Sequence, residues 1–178
     1  MSRIVAASAV GEYKFPQAER RGPRSWLPDK LTLQLEWSTG VAANVEFELL
    51  AAGMYRDAFQ SIDRKLVFKA HICNGSAAID WSGKPPKPSD ANASEWELAK
   101  SIIELHLPPV LGLVPMTLFD NVYDLLFVER VPATVNEYLA ARVARPWDEK
   151  DALKIASTIC DVLAEMLSCV ERGIKVCD

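Results

Sequence analysis

The chain has 178 residues, 49% hydrophobic and 25% charged, which suits a globular protein of one good-sized domain or a domain with an extension. Its formal net charge of -4 gives no whole-chain case for binding nucleic acid or an anionic membrane surface. No apolar run reaches the roughly 18–20 residues that a membrane-spanning helix needs, and "MSRIVAASAVGEYKF" makes a poor secretory signal, so the expected setting is cytoplasmic.

Residues 1–30 hold Pro16, Pro23 and Pro28 and the cluster Arg20, Arg21, Arg24 without a sustained period, which predicts a flexible basic arm. "KLTLQLEW" then alternates Leu31, Leu33, Leu35 and Trp37 with polar residues, the pattern of a half-buried strand. "VAANVEFELLAAG" reads as a second strand ending at Gly53. "AFQSI" and "KLVFKAHI" follow as a hairpin turning at Asp63–Arg64. The stretch from Cys73 to Ala93 is dense in Gly, Ser and Pro and reads as a linker. It carries two glycosylation-type triplets, at Asn74 and Asn92, which lack a supporting signal peptide.

"SEWELAKSIIELHL" predicts a helix. Ser94 and Glu97 stand at capping-box spacing, and Pro108–Pro109 end the segment. "VLGLVPMTLF" and "VYDLLFVERV" are two further strands joined at Asp120–Asn121, and "ATVNEYLAARVA" is a short helix. The long helix over 148–172 aligns Ala152, Ile155, Ile159, Leu163, Met166 and Val170 in one apolar stripe and closes at Gly173. "IKVCD" ends the sequence. Cys73, Cys160, Cys169 and Cys177 match no metal knuckle or redox pair, and His71 and His106 have no partner at metal-ligand spacing.

From about Val45 to Asp178 this order resembles the protein-kinase fold, from its N-terminal lobe to the start of its catalytic loop. "LLAAGMYRDAF" is similar to the glycine-rich loop that covers ATP phosphates, with Gly53 at its second glycine. Ala51 and Arg56 replace the first and third, so that Arg56 would hang near the phosphates. "LVFKA" is similar to the strand that carries the phosphate-holding lysine, which implies that role for Lys69. The following helix implies a glutamate that positions Lys69. Glu97 is the first candidate, with Glu95 and Glu104 as others. "LLFVERVPATVNEYL" resembles the fifth strand, the hinge and the helix after it. Val128 then falls at the gatekeeper position, and Glu129, Arg130 and Val131 supply the backbone that bonds adenine. Asp178 falls at the catalytic base, preceded by Val176 and Cys177 where the family has histidine and arginine.

The fold class expected is therefore α+β: an antiparallel N-lobe sheet over 31–131 with one helix, then the first helices of a mostly helical C-lobe over 132–178. The resemblance breaks off at Asp178, before the asparagine and D-F-G aspartate that bind Mg²⁺. The function expected is a fragment of a protein-kinase-like domain, whose parent moves the γ-phosphoryl group of ATP to a protein hydroxyl. The chain alone is expected to be inactive. The alternatives are a pseudokinase that binds nucleotide or a protein partner, a small-molecule kinase of the aminoglycoside or choline type, and an unrelated α+β interaction domain. An uncovered apolar face on the long helix predicts self-association.

Overall fold

The structure is a computed structural model that describes residues 2–14, 27–52, 56–74, 91–101, 109–131, 140 and 148–171. The chain divides into two compact units, Met1–Arg130 and Val131–Asp178.

In the first unit the elements are β1 (Ile4–Val10), β2 (Lys30–Trp37), β3 (Ala42–Ala52), β4 (Asp57–Ser61), β5 (Leu66–Asn74), α1 (Ala91–Ser101), β6 (Val110–Leu118) and β7 (Asn121–Glu129). All seven strands join one antiparallel sheet in the order β1-β2-β3-β4-β5-β7-β6. Its two end strands, β1 and β6, lie against each other where Ile4 meets Gly112, so the sheet is nearly closed and barrel-like. Bulges at Ile4/Ala6, Leu49/Ala51, Ile72/Asn74 and Val110/Gly112 add local bend and twist to the strands that make this curve.

The period-2 pattern decides which side chains fill the interior. Leu31, Leu33 and Leu35 of β2 point inward with Phe47, Phe59, Phe68, Leu125 and Phe127. Phe68 sits at the centre: its ring lies 4.8 Å from Phe47 edge-on, 4.8 Å from Phe59 in a stack and 5.5 Å from Phe127. Full burial of each such ring is worth about 1.5–3 kcal/mol over exposure. A second, smaller cluster of Val67, Leu126 and Val128 lies on the outer face, where Trp96 of α1 packs against it. That contact docks the helix on the outside of β5, β7 and β6. Between β6 and β7 the two turn residues Phe119 and Asp120 both have positive φ, 52° and 59°, the two-residue turn whose twist suits a hairpin.

Three expectations change here. The expected fold class, an antiparallel N-lobe sheet with one helix leading into the first helices of a mostly helical C-lobe, is overturned. Strand dominates the described residues, and β1 and β2 roll the sheet over until its ends meet. The physical reason is the paired apolar faces: the inward residues of β2 need cover as much as those of β5 and β7, and only a curled sheet buries both. Second, the segment 1–30 is no free arm throughout. Ile4–Val10 is a strand, and the Tyr13 hydroxyl donates to the Val10 carbonyl at 2.8 Å and accepts from Thr32 N at 2.7 Å. Third, α1 begins at Ala91, so Ser94 and Glu97 lie inside its first two turns and not at its cap.

The second unit contains α2 (Glu149–Glu171). Asp148 caps it, its Oδ1 accepting from Asp151 N at 2.7 Å. Of the apolar stripe, Ile155 is buried, whereas Ile159, Leu163 and Met166 are exposed, as are Leu153 and Leu167. Among the described residues no helix is long and apolar enough to cross a membrane.

Candidate functional site

The outer face of the sheet carries one continuous cross-strand row: Leu113, Leu126, Lys69, Ala58 and Ala51. Lys69 therefore has a large apolar neighbour on one side and two small ones on the other. α1 stands over this row and reaches Lys69 through Glu95.

The helix meets Lys69 through a carboxylate. Lys69 Nζ donates to Glu95 Oε1 at 2.5 Å, and Arg56, at the foot of β4, donates through Nη1 to Glu95 Oε2 at 2.6 Å. The same Nη1 reaches Asn92 Oδ1 at 3.1 Å. Asn92 is 1% exposed, and its Nδ2 donates to the carbonyl oxygens of Lys69 at 2.9 Å and Asp124 at 2.8 Å. One amide thus ties the first turn of α1 to both β5 and β7. By contrast the side chains of Lys69, Arg56 and Glu95 remain 30%, 27% and 29% exposed, so the ion cluster is half-open to solvent.

Burial pushes the Glu95 carboxyl up, but hydrogen bonds and charge from Lys69 and then Arg56 outweigh it, so it titrates below its usual value. His71, two residues along β5 from Lys69 and directly across from Asp124, is buried. Desolvation lowers its pKa; the Asp124 charge opposes this, and the Arg56 charge adds to it.

Both shifts make stability fall with acid, in separate windows. As pH drops below 6.5, the ordinary histidine value, the unfolded chain takes up a proton that folded His71 refuses, and stability is lost. As pH drops below 4.5 toward the lower pKa of folded Glu95, the cluster loses its anion and a second contribution goes. Urea midpoints measured against pH are expected to show both declines. His71→Asn should flatten the upper one and Glu95→Gln the lower. A wild-type midpoint that stays level from pH 7 down to 5 would refute the upper assignment.

The sequence-derived candidates are placed as follows. Lys69 is at the centre of the cluster. Glu97 is not its partner: that side chain is 68% exposed and pairs with Lys100 at 2.6 Å. On the wheel of α1 the docking face holds Asn92, Glu95, Trp96 and Ala99, and Glu97 lies on the far side. That spacing was the available signal for Glu95, and Trp96 was its marker. Asn92 was legible only as a glycosylation-type triplet, a use its burial rules out in the folded chain. Ala51 lies in the Lys69 row at the end of β3. Val128 is buried in the outer cluster and pairs with Val67 and Val110. Glu129 N–H donates to the Pro109 carbonyl and Arg130 N–H to the Lys65 carbonyl, both at 2.9 Å, so neither N–H is open to adenine. Val131 belongs to the second unit. Gly53, Glu104 and Asp178 lie outside the described residues. Among the described residues no group of three or more His, Cys, Asp or Glu side chains is placed to hold a metal ion.

No protein-family model, no curated protein and no solved structure matches the chain.

Proposed function

We propose that this chain is a nucleotide-binding module that takes the phosphates of ATP at the Lys69 cluster. One observation carries this reading. A half-open lysine, held by a helix carboxylate and flanked by Ala51 and Ala58, shares that carboxylate with a second cation. Two cations on one carboxylate set an ammonium and a guanidinium side by side, with Asp124 on the same face as a further negative charge, and phosphate oxygens are acceptors that suit such a donor pair. Glu95 fixes the lysine ammonium while leaving it donors to spare, because an ammonium has three and the carboxylate uses only one. The row of small residues gives the ligand access to the sheet. These groups can bind and orient a polyphosphate.

Calorimetric titration with ATP tests it. Lys69→Ala is expected to weaken binding by about 10- to 100-fold, the worth of a charge-assisted hydrogen bond. The variant should stay folded, since Glu95 keeps Arg56 and Asn92 keeps its two carbonyls. A wild-type chain that does not bind ATP, or a Lys69→Ala chain that binds it equally well, overturns the reading.

A further inference from the structure

Arg56 has more donors than its structural role consumes. Both of its hydrogen bonds among the described residues leave from Nη1, one to Glu95 and one to Asn92. The Nε–H and both Nη2–H donors make no bond there, and a guanidinium presents such donors in a planar fork that matches two phosphate oxygens. Asn92 Oδ1 and Glu95 Oε2 hold that fork from behind, so its plane is set before any ligand arrives. Arg56 immediately precedes β4, two residues before Ala58 of the Lys69 row. Its charge lies close enough to His71 to depress that group's pKa.

We infer that Arg56 is a second phosphate-binding residue and that it lets this site take a nucleoside triphosphate without a divalent metal ion. The inference rests on the nucleotide reading above. A triphosphate carries more negative charge than one lysine can neutralise, and a divalent cation commonly supplies the remainder. Here a guanidinium stands beside the ammonium, on the opposite oxygen of the same carboxylate. It supplies a second fixed positive charge beside the ammonium. Lysine gives a point charge to one phosphate oxygen, and arginine can grip two.

The test is an ATP titration of the full chain in EDTA and again in excess Mg²⁺, for wild type, Arg56→Ala, Arg56→Lys and Lys69→Ala. Wild type is expected to bind at least as tightly in EDTA as in Mg²⁺. Arg56→Ala should lose about tenfold or more in EDTA and regain part of it in Mg²⁺. Arg56→Lys, which keeps charge but not the fork, should fall between. Thermal melts of each variant check folding, and Arg56→Lys keeps the test informative should the alanine variant be unstable. Two results overturn the inference while leaving the nucleotide reading intact: wild type binding only with Mg²⁺, or Arg56→Ala matching wild type in EDTA while Lys69→Ala loses binding. No ATP binding by wild type under either condition removes both.

Discussion

Asn92→Ala is expected to destabilise the first unit by about 3 kcal/mol, which corresponds to a fall in Tm of about 6–12 °C for a chain of this size. The size follows from what is left behind. The Asn92 amide donates to two main-chain carbonyls on neighbouring strands and accepts from Arg56, at a position with 1% exposure. Alanine removes both donors and the acceptor, leaving the Lys69 and Asp124 carbonyls with only their ladder bonds across β5 and β7 and a side-chain-sized void under α1. Three buried hydrogen bonds at about 1 kcal/mol each, with the lost packing, make up the expected cost. Arg56→Ala is the control: of the three Asn92 bonds it removes only the last, together with a half-exposed ion pair to Glu95, and should cost clearly less. Thermal melts of both variants followed by circular dichroism decide the matter. A loss below about 1 kcal/mol for Asn92→Ala would mean that Trp96 packing, not the amide, holds α1 to the sheet.

Gly112→Val should be comparably damaging, at about 3 kcal/mol, the upper range for overpacking. A Cβ at Gly112 would run into the Ile4 carbonyl oxygen, with the Ile4 carbonyl carbon and Cβ each at 3.2 Å. The obstacle is main chain, which cannot rotate out of the way as a side chain can. Valine also branches at that carbon. The strand pair that makes the seam must therefore part, and β1 should detach before the rest of the sheet melts. Hydrogen exchange is the direct measurement: amides of Ile4–Val10 should lose protection selectively in the variant, while those of β5 and β7 keep it. Unchanged protection in β1 would show that the ends of the sheet have more room than their contact implies.

Much of this was open to reading from residue order. The alternation of Leu31, Leu33 and Leu35 marks β2, and "KLVFKAHI" marks β5 with Lys69 on the face opposite Phe68. The strands around the Phe119–Asp120 turn are equally plain from their apolar runs. β1 was not legible, because "IVAASAV" is short, rich in small residues and lacks a clean alternation. The start of α1 was hidden because Asn92, which docks its first turn, looks like a loop residue in a Ser- and Pro-rich stretch. Glu97 and Glu95 are both acidic residues at plausible distances from Lys69. Only the helix face, fixed by Trp96 and Asn92, separates them.

What the sequence determines by itself is the strands from β2 to β7, the inward apolar rows and a lysine on the outer face, because those depend on local periodicity. Closure of the sheet, the choice of Glu95 and the sharing of that carboxylate by Lys69 and Arg56 were decided by tertiary structure alone. They join residues 26 to 39 positions apart, and in one case the first strand to the sixth. Such contacts depend on how a curved sheet brings its rows together, and no local pattern encodes that curvature.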